Sequence, residues 1–309
     1  KMEDILYEEG FFLGQNNKEI YYRQYEVKDS KAVIVISHGF CETYNKYIDF
    51  IEFLNNNLFS VYILEHRGHG NSGRLGIDNS QIYVEDFNYY IEDLKEFLDS
   101  VVMYNLNDRK LFLYAHSMGG GIGALFLETY PKYFEAAILN CPMLEIHTGK
   151  YPYWFSKLVS DFYCLLGKGK SYVLGHKPYN PNFNYLLENS GTSSEERFNE
   201  FLRYQKEHEN SQTTGASYKW LNESFKALKL IKKPENIQKV EIPVLLFQAG
   251  KDTFVKPNGQ NIFAKYAKNC KLIRIEEAKH EIYIERDEIR EPYLKQVLDF
   301  YNKCLKYSI

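Results

Sequence analysis

The 309-residue sequence has no long apolar run, no basic excess and no signal-peptide-like start. Because no window of about 18 apolar residues occurs, we expect no transmembrane helix. The net charge of −3 argues against a nucleic-acid partner, which would require a basic surface. The first twenty residues hold five acidic side chains and lack the apolar core of a secretion signal. Repeats and long low-complexity segments are also missing.

Cysteine is scarce, and no two cysteines are close in sequence. The five cysteines are Cys41, Cys141, Cys164, Cys270 and Cys304. An odd number with no two close in sequence fits neither a disulfide framework nor a zinc ribbon. We therefore expect reduced thiols and a cytoplasmic location.

Short apolar runs rich in β-branched or aromatic residues alternate with amphipathic stretches. The runs cover residues 32–37, 60–64, 110–115, 135–140, 243–249 and 271–276. Strands that are buried on both faces of a parallel sheet lack strict alternation, as these runs do. The clearest helical stretch, 84–101, has apolar residues at helical spacing. The pattern predicts an α/β fold with a mostly parallel central sheet flanked by helices. Residues 5–27 are interpreted as one or two strands at an antiparallel edge.

The alternation of strands and helices is interrupted between Met143 and Val240. This span contains two helical stretches, 154–166 and 194–207, and both tryptophans of the protein. We interpret it as a helical cap inserted into one α/β core. The expected division is core for residues 1–142, cap for 143–240 and core again for 241–309.

The segment 111–121 predicts the site of a nucleophile. An apolar strand leads into Ala115-His116-Ser117-Met118-Gly119, and a glycine-rich helix follows. A serine at such a tight turn has a strained backbone and holds its hydroxyl above the sheet. Small residues must flank it, as Ala115 and Gly119 do. The alternative is a glycine-rich turn without chemistry, because the usual motif has glycine where Ala115 stands.

A serine hydroxyl is a weak nucleophile without a base. In this type of fold the acid and then the histidine follow the serine along the chain. Asp252 comes directly after the fifth run and His280 after the sixth. Glu276, Glu277 and Glu281 are nearby alternatives to Asp252, but the loop Gly250-Lys251-Asp252 is better placed.

Donors for an oxyanion are expected from two backbone N–H groups. Ser37-His38-Gly39-Phe40 ends the first core strand, and the N–H of Phe40 with that of Met118 would form the oxyanion hole. No helix aligns the imidazoles of His66 and His69, so we expect no metal site. No cofactor motif is found, and none is expected.

The sequence resembles the α/β-hydrolases, and within them the monoacylglycerol lipase and lysophospholipase L2 group of serine hydrolases. Nearly the whole chain takes part in the resemblance. The segments that carry it are His38–Glu42, Glu65–Gly73, Ala115–Gly120, Gly215–Leu221 and His280–Asp287 with Arg290. Glu65 stands where the group usually has aspartate, at a structural position. The resemblance implies an α/β-hydrolase fold with a cap and an acyl-enzyme on Ser117.

We therefore expect a serine hydrolase that cleaves carboxylic esters of monoacyl lipids, either lysophospholipid or monoacylglycerol. The alternatives are a short-chain carboxylesterase, a serine aminopeptidase and a ligand-binding protein on the same scaffold. Carboxylates that could hold a peptide ammonium are Glu145 and Asp161. The cap is rich in aromatic residues, many of which must form its own core. Candidate pocket residues are Cys41, Trp154, Phe155 and Trp220.

The segment 225–233 sets lysines beside apolar residues at helical spacing. It is either a solvated helix face, which we favour, or a face that rests on anionic membrane. Peripheral contact with the inner face of the membrane therefore stays open. No pattern in the sequence indicates an oligomeric state.

Overall fold

The computed structural model describes residues 6–306, which fold around one eight-stranded sheet. The strands are β1 (Glu8–Leu13), β2 (Glu19–Tyr25), β3 (Ala32–Ser37), β4 (Phe59–Leu64), β5 (Gln81–Ile82), β6 (Lys110–His116), β7 (Ala136–Asn140), β8 (Gly215–Ala216), β9 (Val244–Ala249) and β10 (Cys270–Ile275). Their order in the large sheet is β1-β2-β4-β3-β6-β7-β9-β10. β2 pairs antiparallel with β1 and β4, and every other pair is parallel. The predicted mostly parallel sheet with an antiparallel edge is confirmed.

Helices cover both faces of the sheet. They are α1 (Ile48–Asn56), α2 (Asn88–Phe97), α3 (Met103–Leu106), α4 (Met118–Thr129), α5 (Tyr153–Leu165), α6 (Glu195–Glu207), α7 (Tyr218–Ile231), α8 (Pro234–Ile237), α9 (Pro257–Tyr266) and α10 (Asp287–Leu305). One hydrophobic cluster joins α2, α4, α7 and α9 to the sheet, and a second joins α1 and α10 to its other face. Every residue of β3, β4, β7 and β9 is buried, which explains why these strands show no alternation.

The segment between β7 and β9 adds no strand to the large sheet in the part of the chain that is described. It contains α5 to α8 and β8, which pairs with β5 in a second, two-stranded parallel sheet. α7 packs on α4 of the core, and α5 packs on α7. The division of the chain at residues 143 and 240 stays a prediction.

Several element bounds differ from those predicted. The helix predicted over 84–101 begins only at Asn88, because the Asp86 carboxylate accepts the Asn88 N–H at 2.8 Å in a turn that precedes it. Its continuation from Leu98 is a π-helical turn. The predicted edge from residue 5 begins at Glu8, and residue 5 itself lies outside the described residues.

The segment 225–233 covers the end of α7 and the two residues after it. Phe225, Leu228 and Ile231 are buried in the core, whereas Leu230 is 41% exposed. The lysines within the helical part are exposed on its outer side, and membrane contact of this segment stays a prediction. Among residues 6–306, no helix combines the length and the apolar character needed to cross a bilayer.

Candidate active site

Four loops meet at the carboxyl edge of the large sheet, where sites of open α/β folds form. They follow β3, β6, β9 and β10 and carry Phe40, Ser117, Asp252 and His280. Because these strands are parallel neighbours or nearly so, their ends converge although the residues are far apart in sequence. The structure thus brings together the residues for which the sequence predicted catalytic roles.

Ser117 occupies the turn between β6 and α4. Its φ of 54° and ψ of −118° lie in a region that non-glycine residues rarely adopt. Three hydrogen bonds fix the backbone of this strained residue. The Ser117 N–H donates to the Asn140 carbonyl at 3.1 Å, and the Ser117 carbonyl accepts the N–H groups of Met143 at 2.8 Å and Gly121 at 3.0 Å. The backbone therefore holds the hydroxyl at the carboxyl edge of the sheet.

The start of α4 lies against the end of β3, and only glycine fits there. A Cβ on Gly119 would lie 2.2 Å from the Ser37 carbonyl oxygen and 2.3 Å from that of His38. On the other flank the Cβ of Ala115 would be 2.8 Å from a Cβ on Gly123. Alanine thus suffices where the usual motif has glycine, because Gly123 leaves room for its methyl group.

Ser117, His280 and Asp252 form one chain of hydrogen bonds. His280 Nε2 lies 2.7 Å from Ser117 Oγ, and His280 Nδ1 lies 2.6 Å from Asp252 Oδ2. The other oxygen of Asp252 accepts the N–H groups of Phe254 at 2.8 Å and Val255 at 3.0 Å. This is the geometry of a nucleophile, a base and a group that orients the base.

The electrostatics of Asp252 favour its ionised form. Burial alone would raise the pKa of this carboxyl, but His280 and the two backbone donors hold the pKa below its ordinary value. An ionised Asp252 requires the proton of the neutral imidazole to be on Nδ1. Nε2 is then free to accept the hydroxyl proton of Ser117.

The three glutamates considered as alternatives to Asp252 bind other partners. Glu276 accepts from Arg274 Nε at 2.6 Å, Glu277 forms an ion pair with Lys251 at 2.5 Å, and Glu281 pairs with Lys46. Among these acids, Asp252 is the one hydrogen-bonded to His280.

The loop after β3 is fastened by Glu42. The Glu42 carboxylate accepts the Gly39 N–H at 2.6 Å and the hydroxyls of Tyr47 at 2.5 Å and Tyr283 at 2.7 Å. Burial would raise the pKa of Glu42, but the Lys46 ammonium and the two tyrosine hydroxyls lower it. Glu42 thereby joins the loop that contains Phe40 to the loop that contains His280.

The two backbone donors expected at the oxyanion hole lie at the start of α4 and in the loop that follows β3. Met118 is the first residue of α4, so its N–H has no acceptor within the helix. Phe40 follows Gly39, whose own N–H is held by Glu42. The assignment of both donors stays a prediction.

The four candidate pocket residues lie in different surroundings. Trp220 is buried, and its ring centroid lies 4.5 Å from that of Phe40. Cys41 follows Phe40 with a φ of 59°, and burial raises the pKa of its thiol. Trp154 and Phe155 lie on α5 and are 66% and 38% exposed. Trp220 and Cys41 are therefore next to the proposed oxyanion loop, and the pocket roles of all four stay predictions.

Within residues 6–306, two clusters bring possible metal ligands within 4.8 Å of one another. One consists of Cys141, Asp252 and His280, where the imidazole and the carboxylate already bind each other. The other consists of Glu42, His116 and Glu281, where Lys46 already supplies the cation. Burial lowers the pKa of His38 to about 4 and that of His116 to about 3. Both imidazoles are therefore neutral at neutral pH.

Sequence reasoning assigned no role to Glu42 or to Phe254, whose ring centroid lies 5.1 Å from that of His280. Glu42 was available as an acid just after the His-Gly turn. Its partners come from distant parts of the chain, however, and only the fold shows them.

Comparison with known proteins shows which family the sequence matches and which curated proteins are similar to it. Residues 28–287 match the family described as "Serine aminopeptidase, S33". Lysophospholipase L2 of Escherichia coli strain K12 is 28% identical over 306 residues, which cover 96% of this chain and 88% of that protein.

The fold is shared with many solved structures, of which two serve as examples. A thermostable carboxyl esterase from Bacillus coagulans aligns with a TM-score of 0.77 at 20% identity, covering 97% of this chain and 99% of that one. A soluble variant of monoglyceride lipase from Saccharomyces cerevisiae aligns with a TM-score of 0.76 at 19% identity, covering 100% and 98%. At these identities the likeness concerns the fold alone.

Proposed function

The chain belongs to the serine aminopeptidase S33 family and has the α/β-hydrolase fold, and from this premise we propose that it hydrolyses carboxylic esters of monoacyl lipids through Ser117. The observation that carries the proposal is the unbroken hydrogen-bond chain from Ser117 through His280 to Asp252, at 2.7 and 2.6 Å. A protein that only bound a ligand would have no use for this arrangement.

In the proposed reaction, Ser117 Oγ attacks the ester carbonyl carbon while His280 Nε2 takes the hydroxyl proton. The N–H groups of Phe40 and Met118 stabilise the oxyanion. His280 then gives its proton to the leaving alcohol, and an acyl-enzyme remains. Water, deprotonated by His280, attacks the acyl-enzyme carbonyl. The bond to Ser117 Oγ then breaks, His280 returns the proton to Ser117, and the fatty acid is released. Asp252 stabilises the imidazolium in both half-reactions and keeps its own charge.

Two observations support a lipid with one acyl chain as the substrate. The name lysophospholipase L2, carried by a relative that is 28% identical to this chain over 306 residues, refers to such a lipid. In addition, the ring of Phe40 packs against that of Trp220, with centroids 4.5 Å apart, beside the proposed oxyanion donor. We infer that these rings form part of an apolar wall of the cleft, which suits an acyl chain and suits a peptide poorly.

An aminopeptidase would need a carboxylate for the substrate ammonium. The two acids that could serve are engaged: Asp161 binds Lys157 at 2.5 Å and also accepts from Asn222, and Glu145 accepts from Asn258 at 3.0 Å. Because both carboxylates already have partners, peptide hydrolysis is the less favoured activity.

The efficiency kcat/KM should rise with acyl-chain length. Burial of each added methylene contributes about 0.8 kcal/mol, so two methylenes should raise kcat/KM roughly tenfold until the cleft is full. The measurement is kcat/KM for monoacylglycerols, lysophospholipids and p-nitrophenyl esters with about two to ten acyl carbons, each below its micelle threshold. Aminoacyl amides are measured in the same way.

The Ser117→Ala variant gives the background rate for every substrate in this panel. A flat or falling profile across the ester series would contradict the lipid proposal and favour a short-chain esterase. Faster turnover of aminoacyl amides than of esters would favour a peptidase.

We further propose that the protein contacts a membrane through α5 and not through the segment 225–233. One stripe of α5 at helical spacing is exposed and apolar: Trp154 at 66%, Leu158 at 59%, Phe162 at 55% and Leu165 at 83%. Such a face binds the interface of a bilayer. All five cysteines lie within residues 6–306 and are free, which supports a reducing compartment and hence the inner face of the membrane.

Phe162→Glu should reduce co-sedimentation with anionic vesicles several-fold, because a charge would then enter the apolar stripe. The control is Phe11→Glu, since Phe11 on β1 is also 55% exposed but lies on another element. Equal loss in both variants, or no binding by the unmodified protein at low salt, would exclude α5 as the contact.

A further inference from the structure

The loop that carries His280 is bonded to a segment from the span between β7 and β9. We call residues 187–197 of that span the strap. Lys279 Nζ donates to the strap carbonyls of Leu187 at 3.0 Å, Glu188 at 3.1 Å and Ser190 at 3.3 Å. The Thr192 hydroxyl donates to the Ile284 carbonyl at 2.8 Å. We call the loop that carries His280 the base loop. The strap is therefore hydrogen-bonded to the base loop at several points after β10.

The backbone N–H groups of both neighbours of His280 are hydrogen-bonded. The Lys279 N–H, on one side, donates to Glu285 Oε1 at 2.8 Å. The Glu281 N–H, on the other side, donates to the Gly191 carbonyl of the strap at 2.8 Å. With both neighbours fixed, the backbone of His280 has little freedom to rotate away from Ser117.

Glu285 connects these two sets of contacts. Its side chain is fully buried at 0% exposure. Oε1 accepts the Lys279 N–H, while Oε2 accepts the Ser193 N–H at 3.0 Å, the Ser193 hydroxyl and the Arg286 N–H at 3.2 Å. One carboxylate thus bonds the residue before His280 to the strap. Arg197 completes the connection, since its Nη1 donates to the Glu285 carbonyl at 2.5 Å.

We propose that Glu285 is a positioning residue, which keeps His280 in line with Ser117 by joining the base loop to the strap. The inference rests on the proposed function, because it assumes that His280 is the base. Glu285 does not touch the reacting atoms. It acts through Lys279 and the strap, and misplacement of a catalytic group by about 1 Å is enough to cost on the order of 10²-fold in rate.

The test is Glu285→Gln. The amide keeps the volume of the side chain, but its NH₂ must face either the Lys279 N–H or the donors of Ser193, so one set of hydrogen bonds is lost. We expect kcat to fall by about 10- to 100-fold while KM changes by less than about twofold. The rate of Ser117 labelling by a fluorophosphonate should fall in parallel, because it also depends on the base.

The matched control is Glu277→Gln in the same loop. Glu277 is exposed and paired with Lys251, so this variant should keep wild-type kinetics within about twofold. Should Glu285→Gln fail to fold, Ser193→Ala removes only the hydroxyl donor from the strap. It should lower kcat several-fold at an unchanged KM.

Thermal unfolding separates positioning from simple stabilisation. If Glu285→Gln lowers Tm but the folded variant labels at the wild-type rate, Glu285 is structural and the inference is overturned. The same holds if Ser193→Ala has wild-type kcat. If the wild-type protein itself does not react with the fluorophosphonate, the proposed function fails, and that result is distinct from the other two.

Discussion

Replacing Ser117 by alanine is expected to lower kcat by about 10⁶-fold, with a residual rate from substrate binding and the oxyanion hole. The fold should be unaffected. Alanine removes only Oγ, and the bonds that fix this turn involve the backbone N–H and carbonyl of residue 117 with Asn140 and Met143. The positive φ is already tolerated in a residue that has a Cβ, so alanine adds no strain.

Hydrolysis of a soluble ester and labelling by a fluorophosphonate both measure this effect. Ser100→Ala is the control, because Ser100 is an exposed serine that donates to the Glu96 carbonyl at 2.7 Å. Ser117→Ala combined with His280→Ala should be no slower than either variant alone, since nucleophile and base act as a unit. A folded Ser117→Ala variant with more than about a tenth of wild-type activity would exclude Ser117 as the nucleophile.

The sequence predicted roles for these residues because their signals lie either in one contiguous segment or in the order of the strands along the chain. Ser117 is marked by a strand, a strained turn and a glycine-rich helix that are contiguous in the chain. Asp252 and His280 follow from the order of strands, since the ends of parallel strands converge at one edge. The buried strands were also recognisable from short apolar runs, and their ends were predicted to within one residue.

What the sequence left open depends on contacts between distant segments. Glu42 and Glu285 look like ordinary acids in the sequence, and their donors come from the loop that carries His280, the strap and the turn just before α1. The cap aromatics posed the same problem. The sequence alone does not distinguish Trp154 from Trp220. Trp154 is exposed on α5, whereas Trp220 is buried against Phe40. The difference arises because α7 packs on the core and α5 packs on α7.

Asp252→Asn should lower kcat by about 10⁴-fold, less than the loss of Ser117 but far more than a surface change. The reason lies in the two oxygens of Asp252. Oδ1 is held by the N–H groups of Phe254 and Val255, so the asparagine oxygen will take that position. Its NH₂ then faces His280 Nδ1, which must accept a hydrogen bond and give up its proton. The neutral imidazole carries the proton on Nε2 instead and cannot receive one from Ser117.

The variant Glu276→Gln provides the comparison, since Glu276 is an exposed acid close to the same site that binds Arg274. Its kcat should stay within about twofold of wild type, because an exposed ion pair contributes little. If Asp252→Asn lost less than about tenfold in kcat, another group would be orienting His280. Glu281 would then be the next acid to examine, because it adjoins His280 and its pKa is raised by burial against the pull of Lys46. A large loss confined to Asp252→Asn would instead show that the tautomer set by this one carboxylate decides whether the imidazole acts as a base.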